Sequence, residues 1–409
     1  MTKSIDVSRA RRETIACDEI IHFNNAGASL MPTPVSEALH NYLRSEEKIG
    51  GYETTEQYSE SLERVYSSAA KLINCSPEEI AFVENATRAW DLAFYSFKFK
   101  PGDKILTTVA EYGSNVIAYL QQASRLGVEV HFVPNDESGQ IDTEALRNLI
   151  DDNVKLISIT HIPTGGGLVN PAAEVGKIAR AANIPFILDS CQGVGQIPID
   201  VDAIGCDILC TTGRKFLRGP RGTGLLYVRK ELIESLEPPM LDQHAAELIT
   251  PYEYKIRQDA KRFENWEQFF AGKYALSVAI DYALSWGIES IQQRIYSLAD
   301  LLRKKLSHID SIEVTDEGVE KCGIVTFTSD TITPTEIKQA LAVHKINVST
   351  AKGSGSLVSF SARGLTEVVR ASVHYFNTEE EIAYFIEILK TITEKGDPTI
   401  VSMMHGRRS

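Results

Sequence analysis

Short runs of aliphatic and β-branched residues alternate with amphipathic segments from about residue 79 to residue 228. Each run is long enough for one strand. The segments between them, such as Asn115–Arg125 and Glu174–Ala182, place apolar residues three and four apart, as helices that cover a sheet do. The alternation therefore predicts an α/β fold with a mostly parallel sheet covered on both faces. The predicted strands are Ile80–Val83, Lys104–Val109, Val128–Val133, Lys155–His161, Phe186–Asp189, Asp207–Thr211 and Thr223–Val228.

The pattern changes after Val228. An irregular stretch is expected through Met240 and Tyr254, and a strongly helical region follows from Ala271 to Lys305. The remaining residues predict a smaller α+β unit. Its expected strands are Ile312–Val314, Gly323–Thr328 and Val368–Val373, and its expected helices lie near Thr335–His344 and Thr378–Thr393.

Composition excludes several classes of protein. The net charge of -13 and the pI near 5.3 argue against a nucleic-acid partner and against an acidic membrane surface. The six cysteines show no C-x-x-C spacing, the N-terminus lacks the apolar segment of a signal peptide, and no run approaches the ~20 apolar residues of a membrane span. We expect a cytoplasmic enzyme with reduced thiols that binds neither nucleic acid nor membrane, and we expect no metal.

The first candidate site is the segment Glu84–Arg88, between a predicted strand and a predicted helix. In open α/β sheets, ligands bind beyond the carboxyl ends of the strands. Backbone amides at the start of this helix, with the Thr87 hydroxyl, can hold a phosphate. An ordinary helix N-cap is the competing interpretation of the same segment.

Two further strand ends present charged side chains. Asp189 follows an apolar strand, where it can stabilise the protonated nitrogen of a pyridine ring, although an acid here is often a cap or turn residue. Lys215 lies between Arg214 and Phe216 after the next strand. A cationic neighbour and an apolar neighbour can lower an ammonium pKa enough for attack on an aldehyde, whereas most lysines are merely solvated.

This ordered combination resembles the class V aminotransferase family of fold-type I pyridoxal 5′-phosphate (PLP) enzymes, from about Phe23 to Leu389. The family includes cysteine desulfurases, C–S lyases and isopenicillin N epimerase-like proteins. The resemblance implies a homodimer with a large PLP-binding domain at residues 31–270, a connecting helix at 271–305 and a small C-terminal domain at 306–409. Residues 1–30 are then a segment that contributes to the substrate site.

The resemblance also implies roles for individual residues. Lys215 matches the catalytic lysine that forms the Schiff base (internal aldimine) with the cofactor. Asp189 matches the partner of the ring nitrogen, and Gln192 matches the side chain that binds the phenolic oxygen. The remaining cofactor-binding matches are Ala86 and Thr87 in the phosphate loop, Thr212 and Arg214 as further phosphate ligands, Tyr112 where many relatives stack a histidine, and Thr164 where many have an asparagine.

Both ends of the chain supply expected substrate contacts. Asn25 and Ala26 lie in a segment that resembles the family's N-terminal loop, and Arg370 begins a segment that resembles its closing motif. An arginine there can clamp a carboxylate through two parallel hydrogen bonds. Arg363 is the competing choice for this clamp.

The expected reaction type depends on whether the small domain supplies a cysteine that can accept sulfur. Cysteine desulfurases use a cysteine on a loop of the small domain, and the corresponding region, Ser349 to Ala362, contains none. Cys322 lies in a strand-like run and is expected to be a buried structural thiol. The segment Arg262 to Glu267 and Arg214 look more like the lyase and epimerase-like branch, so we place a C–S lyase on a cysteine-type substrate ahead of an aminotransferase or an amino-acid epimerase.

A nucleotide-binding module is the non-catalytic alternative, suggested by Gly219–Gly224 and by the three glycines at 165–167. The first of these segments leads into a predicted strand instead of a helix, and neither matches a phosphate-binding glycine motif.

Overall fold

The computed structural model describes residues 4–395 of the chain. Its N-terminal part is mainly helical and lies against the rest of the protein through small apolar residues, such as Val35 and Ala38 packed on Ala275 and Ala279. Its elements are α1 (Val7–Arg12), β1 (Ile21–His22), α2 (Thr33–Ile49), α3 (Gly51–Gln57) and α4 (Ser59–Ile73).

A seven-stranded sheet follows, and every predicted strand between residues 79 and 228 is found within one or two residues of its expected bounds. The strands are β2 (Ile80–Val83), β3 (Lys104–Thr108), β4 (Glu129–Val133), β5 (Val154–Thr160), β6 (Phe186–Asp189), β7 (Ile208–Thr212) and β8 (Gly224–Val228). The helices between and after them are α5 (Ala86–Phe94), α6 (Gly113–Leu126), α7 (Thr143–Leu149), α8 (Ala172–Ala181), α9 (Val201–Ile204) and α10 (Lys230–Ile233).

The strand order is β2-β8-β7-β6-β5-β3-β4. Six of these strands run in the same direction, and β8, which lies between β2 and β7, runs in the opposite direction. The mostly parallel α/β fold is therefore confirmed. Alternate residues of β6 face opposite sides of the sheet: Phe186 and Leu188 join one apolar cluster, and Ile187 joins the other. Because β5, β6 and β7 are parallel, their last residues all lie at one edge of the sheet.

The prediction of an irregular stretch after β8 is wrong for the C-terminal part of that stretch. Residues 246–256 form an antiparallel hairpin of β9 (Ala246–Thr250) and β10 (Glu253–Ile256). Within residues 4–395 this hairpin pairs with no further strand, and its side chains are largely exposed. The alternation of buried and exposed residues that reveals most strands is therefore missing from its sequence.

Two long helices and a second sheet complete the structure. The helices α11 (Phe270–Trp286) and α12 (Ile288–Leu306) connect to the antiparallel sheet β11-β12-β15-β14. The elements of this unit are β11 (Ile312–Val314), β12 (Ile324–Ser329), α13 (Pro334–Val343), β13 (Ile346–Asn347), β14 (Ser349–Lys352), α14 (Leu357–Ala362), β15 (Glu367–Ser372) and α15 (Glu379–Lys395). The domain boundaries given above stay predictions, and residues 396–409 lie outside the described part.

The N-terminal segment bridges the two sheets. β1 pairs in parallel with β13, and Asn24 forms a bridge with Ser372 at the end of β15. One apolar cluster also runs from β6 through α12 to Ile324 and Phe327 of the second sheet. The two sheets therefore share a core. Between residues 4 and 395, no helix is both long and apolar enough to cross a membrane.

A buried ionic network closes the β2 edge of the large sheet. The Glu264 carboxylate is fully buried, and it accepts hydrogen bonds from the Tyr66 hydroxyl (2.8 Å) and the Phe82 amide (2.8 Å). The Lys273 ammonium lies 3.7 Å away. Burial opposes ionisation of Glu264, but the His244 ring 3.4 Å away and the charge of Lys273 outweigh it and hold the pKa of the carboxyl below its usual value.

We predict that Glu264→Ala lowers the free energy of unfolding by ~3–5 kcal/mol, because it leaves Lys273 buried without its counter-charge. Denaturant unfolding monitored by circular dichroism measures the change. Glu267→Ala is the matched control, because Glu267 lies three residues away but is exposed, and a change within ~0.5 kcal/mol is expected there. Equal effects of the two substitutions would contradict a stabilising role for the network.

Candidate active site

A cavity of about 300 Å³ lies at the carboxyl edge of the large sheet, beyond the ends of β2, β5, β6 and β7. Ligands are expected at this edge in an open α/β sheet. Eight of the predicted site residues line the cavity: Ala86, Thr87, Tyr112, Thr164, Asp189, Gln192, Arg214 and Lys215.

One end of the cavity can bind an anion. Helix α5 begins here, and the side chain of Asn85 caps it by accepting a hydrogen bond from the Arg88 amide at 2.9 Å. The capping interpretation is therefore correct for Asn85, while Ala86 and Thr87 present the first turn of the helix, whose amides have no partner within a helix, to the cavity. Capping and anion binding are compatible here.

Arg214 adds positive charge to the same cavity. Its guanidinium donates a hydrogen bond to the Thr212 hydroxyl at 3.0 Å. Thr212 itself is buried beside the cavity instead of lining it, and its hydroxyl donates to the Thr223 carbonyl at 3.2 Å. Thr212 thus orients Arg214 in the structure, and its expected direct contact with a phosphate stays a prediction.

Asp189 ends β6 with its carboxylate fixed by two donors. The Asn115 side-chain amide donates to one oxygen at 3.1 Å, and the Cys191 backbone amide donates to the other at 3.1 Å. Asp189 is buried and lines the cavity. A fixed, desolvated carboxylate in this position can stabilise a cation in the cavity.

Lys215 lies in a tight turn just after β7. Two hydrogen bonds close this turn, from the Gly219 amide to the Gly213 carbonyl (2.7 Å) and from the Arg218 amide to the Lys215 carbonyl (2.9 Å). Burial lowers the pKa of the Lys215 amine; Cys191 and Asp189 oppose the shift, and Arg214 and Arg370 add to it. The amine is therefore held closer to its neutral, nucleophilic form.

Thr164 and Gln192 form a connected wall of the cavity, and Arg370 does not line the cavity but is hydrogen-bonded to this wall. The Arg370 guanidinium donates to the Thr164 hydroxyl at 2.5 Å, and the Gln192 amide donates to the same hydroxyl at 3.3 Å. Burial lowers the pKa of Arg370 to about 10, and the charge of Arg214 contributes. Among the described residues, Nε of Arg370 and Oε1 of Gln192 are buried without a hydrogen-bond partner. A ligand bound in the cavity could supply the missing partners of these two atoms.

The N-terminal loop is bound to the second sheet behind this wall. The Asn25 amide donates to the His22 carbonyl (3.1 Å) and the Ser372 carbonyl (2.7 Å), and its oxygen accepts from the Ser29 hydroxyl. The Ala26 carbonyl accepts from Gln192 at 3.1 Å. Asn25 and Ala26 do not line the cavity of the described structure, so a direct substrate contact stays a prediction for both.

Six cavity residues were not anticipated as site residues from the sequence: Asn115, Thr160, Ile162, Cys191, Arg221 and Gly222. Glu84 and Asn85, which also line the cavity, belong to the candidate segment Glu84–Arg88. Thr160, Ile162 and Cys191 lie at or just after the end of a strand, which is the signal that could have found them. Asn115 lies within helix α6, and only its contact with Asp189, 74 residues later, reveals its place in the site.

The site fits PLP by the chemistry of its donors. The cavity offers a helix N-terminus and Arg214 for a phosphate, a half-buried lysine with a lowered pKa for an aldehyde and a fixed aspartate for a ring nitrogen. The unpartnered Gln192 and Arg370 atoms leave room for further ligand hydrogen bonds. Fold and site together define a fold-type I, PLP-dependent enzyme.

Comparison with known proteins identifies the family. The family model described as aminotransferase class-V matches residues 21–385, and the chain belongs to this family. A probable cysteine desulfurase from Pyrococcus abyssi is 28% identical over 393 residues, which cover 94% of this chain and 97% of that protein. A probable cysteine desulfurase from Borreliella burgdorferi is 30% identical over 393 residues, covering 92% of each.

Solved structures agree with the fold. The apo cysteine desulfurase from Thermococcus onnurineus NA1 superposes with a TM-score of 0.89 at 26% identity, covering 97% of this chain and 100% of that one. The cystine C–S lyase C-DES, solved with its product cysteine persulfide, gives a TM-score of 0.83 at 22% identity and covers 92% and 99%. The second likeness supports the fold alone.

Proposed function

We propose that this protein is a C–S lyase that removes a sulfur group from a cysteine-type amino acid by α,β-elimination. The observation that carries the proposal is one cavity lined by a desolvated lysine and a fixed aspartate, with the buried Arg370 hydrogen-bonded to Thr164 of its wall. The names of the relatives, cysteine desulfurase and cystine C–S lyase, support a cysteine-type substrate. The same site is compatible with an aminotransferase or an epimerase, which the experiment below separates.

Lys215 is the proposed base. When bound, PLP supplies an electron sink for the negative charge that forms at the substrate's α-carbon. The lowered pKa of Lys215 lets its amine take the α-proton near neutral pH. Asp189 supplies a fixed carboxylate to the same cavity, and Tyr112, which also lines it, is an aromatic side chain that could stack on the ring. Departure of the β-sulfur then distinguishes a lyase from the alternatives.

The cysteines of the chain favour release of sulfur into solution. Cys322 is fully buried, as expected for a structural thiol. Cys191 lines the cavity, but burial raises the pKa of its thiol, and the charge of Asp189 and a hydrogen bond to it raise the pKa further. A thiol held protonated is a poor acceptor of sulfur. These features support elimination without a protein-bound persulfide.

We also propose a cytoplasmic homodimer. The hairpin β9–β10 and its surroundings expose large apolar side chains, with Leu248 68%, Tyr252 96% and Trp266 56% exposed. Exposed apolar clusters of this kind are typical of interfaces. The family resemblance implies that the segment Arg262 to Glu267 crosses the dimer interface and contacts the partner's phosphate. A carboxylate such as Glu267 would repel that phosphate, so Asn265, which donates to Glu84 at 3.4 Å, is the better candidate for the contact.

The reaction is tested by a screen of amino acids and cysteine conjugates with all products measured together. A lyase is expected to release pyruvate, ammonia and a sulfur compound from cysteine-type substrates in equal amounts. An aminotransferase would form a keto acid that retains the side chain, and an epimerase would form only the other enantiomer. Alanine production that depends on a cysteine of this chain would support desulfurase chemistry and overturn the proposal.

The substrate carboxylate is assigned to Arg370. Neither arginine lines the cavity itself, but Arg370 donates to the hydroxyl of Thr164, which does. The competing choice, Arg363, is instead engaged elsewhere: its Nε pairs with Glu317 at 3.2 Å and its guanidinium donates to the Thr315 carbonyl. A bidentate pair needs the planar guanidinium, which lysine lacks.

We therefore predict that Arg370→Lys weakens substrate binding by ~2–5 kcal/mol while the resting cofactor spectrum is nearly unchanged. Steady-state KM and a visible spectrum of the resting enzyme measure the two effects. Arg363→Lys serves as the control and is expected to bind substrate as the parent does. The reverse pattern would assign the carboxylate to Arg363.

A further inference from the structure

Glu111 is a buried carboxylate that lies behind Asp189 and has no place in the proposed reaction. It is only 1% exposed and follows β3 in the turn that leads to α6. Its carboxylate accepts hydrogen bonds from the Tyr112 amide (2.9 Å) and the Thr107 hydroxyl (2.9 Å). It also accepts from the hydroxyl (2.5 Å) and the amide (3.1 Å) of Thr160.

Asn115 connects Glu111 to the cavity. Its side-chain amide donates to Glu111 at 2.9 Å and to Asp189 at 3.1 Å. Thr160 is the register partner of Asp189 in the adjacent strand β5, so Glu111 is also fixed to the strand next to Asp189. Hydrogen bonds therefore connect Glu111 through Asn115 to Asp189, which lines the cavity.

We propose that Glu111 is a positioning residue: through Asn115 it fixes the orientation of Asp189 and adds negative charge behind it, so that the two carboxylates together stabilise the protonated ring nitrogen of PLP. This inference rests on the proposed place of Asp189 beside that nitrogen. Five donors offset part of the cost of burying the Glu111 carboxylate. A positive charge on the cavity side would stabilise its ionised form further.

The surroundings of Glu111 make its charge dependent on pH. Burial raises the pKa of Glu111 to about 7; the hydrogen bond from Thr160 opposes this shift, and the negative charge of Asp189 adds to it. The titratable groups that face it are Asp189 from β6 and the phenol of Tyr119 from α6. β3 and β5 contribute the hydroxyls of Thr107 and Thr160, and the Ser356 hydroxyl donates to the Glu111 backbone carbonyl at 3.0 Å.

The test is the affinity of the cofactor-free full-length protein for PLP at about pH 6 and about pH 8, either side of the Glu111 pKa. At the lower pH, Glu111 is mostly protonated and resembles a glutamine, so Glu111→Gln is expected to bind PLP as the parent does. At the higher pH the parent gains the carboxylate charge. The dissociation constant of Glu111→Gln is then expected to exceed the parent's about tenfold, which corresponds to one pKa unit at the ring nitrogen.

A purely structural role would give a different pattern, because lost packing weakens binding at both pH values. A ratio of dissociation constants that does not change with pH would therefore overturn the proposal. Glu129→Gln, at an exposed carboxylate on β4, is the control and is expected to match the parent throughout.

Asn115→Ala and Asp189→Asn complete the experiment. Asn115→Ala keeps both carboxylates and removes the amide between them, so weaker PLP binding is expected; parent-like binding would overturn the proposal even if Glu111→Gln did not fold. Asp189→Asn is expected to weaken binding at both pH values. Parent-like binding by Asp189→Asn would instead contradict the placement of Asp189, which is a separate failure from that of Glu111.

Discussion

The site depends on two charged side chains, Lys215 and Asp189, that are largely removed from water at the carboxyl edge of the large sheet. Asp189 ends β6 and Lys215 follows β7, and these two strands are parallel neighbours. The sheet itself therefore brings both side chains to one cavity. An isolated buried charge is unfavourable. The site therefore has its lysine pKa lowered and its aspartate held by donors from Asn115 and Cys191. The charged groups that make the cavity reactive therefore also need hydrogen-bond partners or a shifted pKa for the chain to fold.

The second sheet and the N-terminal segment complete the cavity from the other side. Arg370 reaches Thr164 from the middle of β15, and Ser372 at the end of that strand binds the N-terminal loop through Asn25 and Ala26. Gln192 joins this loop to the large sheet. The part of the site that contains Arg370 is therefore built where three separate parts of the chain meet. A change in the packing of any one of them is expected to alter the position of Arg370.

The strands of the large sheet could be predicted from the sequence because each strand, with the residue that ends it, is a short continuous segment. Asp189 and Lys215 could be proposed from their own strands and from the family resemblance. The hairpin at residues 246–256 was missed because its two strands are mostly exposed and show no buried face. Glu111 was missed because its partners come from β3, β5 and α6, and one of them, Thr160, lies 49 residues away. Hydrogen-bond partners across strands are not visible in a single sequence.

The central claim is that Lys215 is the lysine that bonds covalently to PLP, and borohydride reduction of the PLP-loaded enzyme followed by peptide mapping tests it most directly. Reduction makes the bond between lysine and cofactor permanent. The account predicts a pyridoxyl group on the peptide that contains Lys215, and none on any peptide of Lys215→Ala. A pyridoxyl group on another lysine of the parent enzyme, for example the buried Lys273, would contradict it.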